Sequence, residues 1–458
     1  MSVRKKLIQN GLASAVQKII KIAEQLLLVP FFITTWGAAY YGEWLTLTII
    51  PTIIGFSDLG FGTAAANSFV LKYASDDKQG AANIAKSGFL SIIFIVVSSI
   101  LVSILLIFIL SYYHIFDKSL IVKQQAILAV SFLMASRIIF FFQQLYEAHF
   151  RAARRASLGM ILLSVYSSAV LIFSLIVLLL GGGVVQFALT NLIITVLFIL
   201  SYGFVAHRIL PITKEYKGVV LKSDIKSLIH KGFGFLLSPV WQAVFFQGTT
   251  FVVRIVLGPV AVTVFNTVRA LTRAVNQANS TIIASVLPEL QFEIGSGNLK
   301  QARKIFRIGL SIIVIIAIGG MMLLFVGGPW FYELWTRKAL NPPTMMWNIF
   351  IIGILFSGTW WMSSDVLIAA NKPYNFTIKA LVVAILAVIA SYFLSRQFGL
   401  TGAAIGNFLL DLILFVTVLP SACKLIEQPL ESLIGDSIAD LKMAWKRQRR
   451  NNFIENQK

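Results

Sequence analysis

Apolar runs of about twenty residues recur along almost the whole chain, and no other feature restricts its folding as severely. A bilayer core about 30 Å thick is crossed by about 20 apolar residues in a helix. Applied to this sequence, that ruler predicts twelve spans, near 11–35, 43–69, 87–111, 122–146, 158–180, 184–206, 233–256, 263–288, 305–328, 344–369, 377–396 and 402–424. Helices satisfy their own backbone N–H and C=O groups inside lipid, where water is absent. The predicted fold class is therefore an all-α membrane protein. Composition agrees: of 458 residues, 57% are apolar and 13% charged, against about a quarter charged in soluble domains. A soluble enzyme and a disordered basic protein are both excluded. The net charge of +20 fits Lys and Arg held on the cytoplasmic side of a membrane better than nucleic-acid binding. The single cysteine, Cys423, rules out an intramolecular disulfide. After the basic start Met1-Ser2-Val3-Arg4-Lys5-Lys6, no small-residue cleavage site follows a short apolar core, so the first long segment reads as a retained span.

The placement of Lys and Arg predicts the orientation. With both termini cytoplasmic, 28 of the 39 fall on the inner side, 5 on the outer side, and the remaining 6 inside spans. That bias puts both ends inside by the positive-inside rule. The outer loops are too short to hold a catalytic domain. Beyond residue 425, Ile434, Ile438, Leu441 and Trp445 recur at helical spacing beside Lys442, Lys446, Arg447, Arg449 and Arg450. An amphipathic helix on the anionic inner leaflet and a solvated tail both fit this pattern.

A repeat runs through the chain at an offset of 221 residues. It lays Lys5–Gly11 over Lys226–Gly232, Gly37 on Gly258, Ala81 on Ala302, Ile84 on Ile305, Lys86 on Arg307, Gly88 on Gly309 and Ile92 on Ile313. The predicted organisation is two six-helix halves, 1–221 and 222–424, followed by a basic tail, 425–458. Because six is even, the halves are parallel repeats, with a substrate site expected between them.

Six basic residues lie inside the spans: Lys18, Lys21, Arg137, Arg254, Arg269 and Arg273. Each costs about 2.5–3.5 kcal/mol near a helix centre on insertion scales, so facing lipid is an expensive arrangement for the set. Lys18 and Lys21 share a helix face with each other and with Gln25; Arg269, Arg273 and Gln277 share another, near Asn276 and Ser280. Gln242 and Ser238 give a similar stripe. Glu24, Asp58 and Asp411 fall inside spans, with Asp365 near the inner end of another. The surplus of bases predicts a cationic cavity suited to phosphate. Lys18 and Lys21 lie toward the cytoplasm and Arg269 and Arg273 toward the outside, so the bases form a ladder. Glu24, Asp58 and Asp411 are the candidates for proton or sodium coupling.

Other chemistry has little support. His114, His149, His207 and His230 are far apart in sequence and sit at loops or loop edges, against a metal cluster. Gly181-Gly182-Gly183 reads as an outer turn, since no Lys-Ser/Thr follows to make a phosphate loop. Trp330, Trp335, Trp347, Trp360 and Trp361 read mostly as interfacial anchors, with Trp360 and Trp361 also able to stack on a sugar.

Tyr41-Gly42-Glu43-Trp44, then Gly55-Phe56-Ser57-Asp58-Leu59-Gly60-Phe61-Gly62, then Ala81 before the third span resemble bacterial polysaccharide biosynthesis flippases. These are the Wzx-type O-antigen and capsule transporters of the multidrug/oligosaccharidyl-lipid/polysaccharide (MOP) superfamily. The resemblance implies two six-helix MATE-like lobes around a cationic cavity in the bacterial inner membrane. It also implies alternating-access transport of an undecaprenyl-diphosphate-linked oligosaccharide to the periplasmic leaflet, driven by a proton or sodium gradient. The implied partners are that lipid-linked sugar, membrane lipids and a polysaccharide polymerase, with no nucleic acid and no cofactor. Asp58 and Gly60 are its signature positions. A multidrug exporter of the same superfamily is an alternative, though organic cations call for an acidic cavity. A membrane polymerase or ligase would need a large outer loop, and a scaffold protein would leave the intramembrane bases unexplained. No ATP-binding motif is present, and the chain is not expected to be an enzyme.

Overall fold

The computed structural model describes residues 3–370, 373–440 and 442; within these, the side chains of 3–15, 213, 214, 230, 231, 233–235, 281, 284, 285, 288, 292, 295 and 373–375 are left aside. In chain order the helices are α1 (Val3–Trp36), α2 (Ala38–Leu47), α3 (Ile49–Ile54), α4 (Phe61–Ala74), α5 (Lys78–Tyr112), α6 (Lys123–Ile139), α7 (Phe142–Ala152), α8 (Ala156–Leu179) and α9 (Val184–Ile209). They continue with α10 (Ile212–Glu215), α11 (Lys222–Leu257), α12 (Pro259–Gly295), α13 (Leu299–Val326), α14 (Gly328–Trp335), α15 (Thr344–Ala369) and α16 (Pro373–Leu425). No strand occurs among the described residues. Nine helical segments among them are long and apolar enough to cross a membrane.

The difference between nine and the twelve predicted spans has three local causes. The second predicted span is broken into α2, α3 and α4. Its break is the turn 55–60, where Leu59 and Gly60 take φ of 50° and 70° and the Gly60 N–H donates to Asp58 Oδ1 at 3.1 Å. The eighth predicted span lies in α12, which carries too many polar residues to qualify by composition. The last two run together as α16, with a non-helical residue at Gly399 (φ 58°, ψ −137°) between them. The fourth predicted span also divides, into α6 and α7.

The chain forms two compact units, Met1–Thr263 and Val264–Lys458. In the first, α1 packs on α8, α6 on α9, and α4 on α5, α7 and α11. Lipid tails offer no hydrophobic drive between helices, so close approach of small residues matters most. The α4–α5 contact shows this: Ala65, Ala66, Ala81 and Ala82 are all buried, and a Cβ on Gly88 would lie 3.0 Å from Ala65 Cβ. In the second unit, α15 packs on α13 and α16 around Phe306, Ile313, Met362 and Val366.

The 221-residue offset is visible in local structure. Gly37 and Gly258 both join two helices at positive φ with extended ψ (79°, 159° and 88°, 179°), a conformation essentially restricted to glycine. Asp77 and Asn298, also 221 apart, both cap a helix by accepting from the backbone N–H three residues on, at Gly80 and Gln301; such caps satisfy otherwise orphaned donors. Ala81 and Ala302, and Ile92 and Ile313, are all fully buried.

Candidate functional site

In the first unit, α1 carries Lys18, Lys21, Glu24 and Gln25 on successive turns. Lys18, Glu24 and Gln25 are half-buried and Lys21 is exposed. Glu24 lies within electrostatic range of Lys21 and of Arg137 from the last turn of α6. Around them Ser136 and Tyr166 hydroxyls both bond Thr195 Oγ1, at 2.8 and 3.0 Å, and Tyr166 is within range of Arg137 and Glu24. Helices α1, α6, α8 and α9 thus bring two of the expected bases to one carboxylate inside a hydroxyl-rich setting. Asp58 stands apart as a turn-forming side chain, although a Cβ on nearby Gly55 would come within 3.9 Å of Arg137 Cδ.

Arg254 has a different neighbourhood. Its guanidinium donates to the carboxylate of Glu43 and to the Lys118 carbonyl oxygen at 3.2 Å. Glu43 is 2% exposed. The acids read from the spans did not include it, because a lone Glu beside Trp44 on a short apolar helix has no periodic signal. The same four residues explain each other physically. Tyr41 stacks on Phe32 with ring centroids 4.7 Å apart, Trp44 meets Phe187 edge-on, and a Cβ on Gly42 would fall 1.8 Å from the Pro259 carbonyl oxygen. Gln242, half-buried on α11, follows the fully buried Trp241.

In the second unit, Arg269 and Arg273 lie one turn apart on α12. Arg269 is 6% exposed, its guanidinium bonds Asn266 Oδ1 and lies 5.1 Å from the Phe265 ring centroid; Arg273 is exposed. The two guanidinium groups are close enough to repel. Gln277 continues this helix, accepting from Ser280 Oγ at 3.5 Å, and Ser357 Oγ of α15 donates to Asn276 Oδ1 at 3.2 Å. Asp411 on α16 accepts from Trp360 Nε1 at 2.9 Å. Trp360 is 1% exposed and stacks on Trp361, which corrects its reading as an interfacial anchor. Asn279 and Asp365 are buried, and both Asn279 amide atoms and Asp365 Oδ2 lack a hydrogen-bond partner among the described residues.

A second correction concerns histidine. His149 and His207, 58 residues apart in sequence, have ring centroids 5.1 Å apart, because α7 packs on α9. His149 is buried rather than at a loop edge. No group of three or more His, Cys, Asp or Glu among the described residues is placed to hold a metal ion. The side chain of His230 falls outside the described residues, as do Leu441, Trp445, Lys446, Arg447, Arg449 and Arg450 of the tail.

No sequence-family profile matches the chain, and no curated protein does. Solved structures do. An inward-facing multidrug resistance MATE family transporter of the MOP superfamily is similar at a TM-score of 0.70 and 16% identity, over 90% of this chain and 94% of that one. An outward-facing multidrug resistance MATE family transporter is similar at 0.59 and 16%, over 92% and 96%. A MOP superfamily transporter from Pyrococcus furiosus Vc1 (DSM3638), described as having a reversed polarity of its binding pocket that suggests a different function, is similar at 0.64 and 15%, over 94% and 96%. The chain has the all-helical fold of these MATE transporters, with nine segments among the described residues long and apolar enough to cross a membrane.

Proposed function

We propose that this protein is a transporter that moves an undecaprenyl-diphosphate-linked oligosaccharide across the bacterial inner membrane, its two six-helix lobes being 1–221 and 222–424. The observation that carries the reading is the sign of the intramembrane charge. In the first unit Lys21 and Arg137 gather around one carboxylate, Glu24, with Lys18 one turn away. In the second, Arg269 and Arg273 repel each other on one helix. A pyrophosphate relieves both arrangements, since charge-assisted hydrogen bonds from Arg and Lys to phosphate are strong. Arg254, engaged with Glu43, has a structural role in this reading. Glu24 and Asp411 are the coupling groups, because a carboxyl in a membrane interior is suited to binding a proton or sodium ion.

The fold shared with multidrug MATE transporters favours a second reading, export of organic drugs. The polarity of this chain's intramembrane residues opposes it, since an organic cation is repelled by surplus Lys and Arg. The Pyrococcus relative's description supports the view that the fold is compatible with more than one pocket polarity.

The test is flipping of a fluorescent undecaprenyl-diphosphate oligosaccharide in proteoliposomes. Lys21→Ala combined with Arg273→Ala removes two charged hydrogen bonds worth about 1.5–3 kcal/mol each, so a rate loss of at least tenfold is expected. An unchanged rate in a normally inserted double variant overturns the reading, as does transport of organic cations instead of the lipid. Rates indifferent to both proton and sodium gradients remove the coupling role of Glu24 and Asp411.

A further inference from the structure

In the first unit the segment 207–221 packs on the start of α5 and borders an open cavity of about 350 Å³. Three contacts hold the segment down. The Val219 N–H donates to Asn83 Oδ1 at 2.8 Å and Gln79 Nε2 to the Lys217 carbonyl at 2.9 Å. Gly218 approaches so closely that a Cβ there would lie 2.4 Å from the Ala82 carbonyl oxygen. Lys86, Lys217, His149 and His207 line the cavity together with Phe69, Phe89 and several alanines. None of the described lining residues is an acid.

The imidazoles are oriented. His149 Nδ1 lies 3.0 Å from the Leu145 carbonyl oxygen and His207 Nδ1 2.8 Å from that of Gly203. A carbonyl oxygen only accepts, so each Nδ1 carries a proton, and in its neutral form the His149 ring keeps a lone pair on Nε2. His149 is 6% exposed and its Nε2 is buried with no hydrogen-bond partner among the described residues. An orphaned buried acceptor of this kind is costly. Histidines held this way also suit a metal ion, but two lysines and no carboxylate make the cavity unfavourable for a cation.

The internal repeat indicates what belongs there. The 221-residue offset carries Lys86 onto Arg307, and their surroundings correspond: Phe69 with Leu290, Ala81 with Ala302, and Ile212 with Leu433, all buried. In the second unit the chain itself supplies an anion. Arg307 Nε donates to Asp440 Oδ2 at 2.7 Å, its Nη1 lies 3.6 Å from Asp436 Oδ2, and Nη1 donates to Gln428 Oε1 at 2.7 Å. In the first unit, Val219 takes the place of Asp440 and His207 that of Gln428. Glu215, in the place of Asp436, is exposed and outside the lining. Where one unit puts its own carboxylates, the other has an open cavity edged by bases.

We propose that this cavity is a binding site for a phosphate monoester carried on an apolar chain. Lys86 and Lys217 hold the anionic oxygens. The apolar chain lies along Phe69 and Phe89. Such an ester reaches the site either as a membrane lipid or as a soluble phosphate ester, and the chemistry recognised is the same.

The probe is hexyl phosphate, titrated calorimetrically into the purified full-length protein. Inorganic phosphate, hexyl sulfonate and hexyltrimethylammonium are the comparators. Hexyl phosphate is expected to bind at least tenfold tighter than each of them: phosphate lacks the chain, the sulfonate cannot take a second negative charge, and the ammonium has the wrong sign. Lys86→Gln with Lys217→Gln is expected to weaken binding at least tenfold. Lys217→Glu alone, on the exposed strap, keeps the test valid if the buried variants fold poorly; it too is expected to weaken binding. A short-chain lysophosphatidate binding tighter than adenosine monophosphate assigns the ester to a lipid, and the reverse order to a soluble ester. Inorganic phosphate or the ammonium binding as tightly as hexyl phosphate overturns the proposal. So does hexyl phosphate binding that ignores the lysine variants, or binding of Zn²⁺, lost in His149→Gln, with no binding of hexyl phosphate. None of these outcomes depends on the flipping assay, so this site and the transport reading fail separately.

Discussion

Glu43 and Arg254 show how much one side chain decides inside a membrane protein. The carboxylate is almost fully buried, and the guanidinium shares itself between that carboxylate and the Lys118 carbonyl. Removing one partner of a buried pair strands the other charge, at a cost of about 3–5 kcal/mol. Glu43→Ala is therefore expected to lower thermal stability sharply, while Glu43→Ala with Arg254→Ala recovers part of the loss. A double variant no more stable than the single one would show that the two residues are not coupled. The bases were legible in the sequence because a charge in an apolar run stands out. Which base had a partner was not, because Glu43 and Arg254 are 211 residues apart and no spacing rule links them.

At the scale of elements, the segment after α16 is the part whose docking is most clearly ionic. Residues 430–440 are helical; Leu433 joins the core around Phe306, and Asp436 and Asp440 face Arg307. Leu430, Ile434 and Ile438 form an exposed apolar stripe on it. Hydrogen bonds from Gln428 and Ser432, together with the nearby Arg307 charge, hold the Asp436 carboxyl below the usual carboxylate range. A carboxylate whose folded pKa is depressed contributes stability that is complete above its ordinary pKa of about 3.9 and is lost as pH falls through the lower folded value. A spin label at Ile434→Cys should thus stay immobile from neutral pH down to about 4 and loosen below it. With Arg307→Ala the label should already be loose at neutral pH; an immobile label there would mean that apolar packing alone holds the helix. Cys423 is buried and does not compete for the label. The helical periodicity of this segment was readable, but the sequence left a surface helix and a solvated tail equally open. The choice required Arg307, 133 residues upstream of Asp440.

For the molecule as a whole, the sidedness of Lys and Arg makes a direct prediction about topology. An impermeant maleimide should label Lys118→Cys in intact cells and Lys300→Cys only after permeabilisation; the opposite pattern would invert the orientation. What the sequence determined by itself were the properties that act locally and add up along the chain. Apolar length specifies helices that cross a bilayer, and the described residues are helical, with nine segments of that length. A constant offset specifies repetition, and Gly37 and Gly258 share a glycine-only conformation because the same junction is built twice. Tertiary structure alone decided which distant groups meet. The pairing of His149 with His207 and the open cavity beside Lys86 arise when α4, α5, α7 and α9 pack, and packing joins residues by distance in space, which the order of residues along a chain does not record.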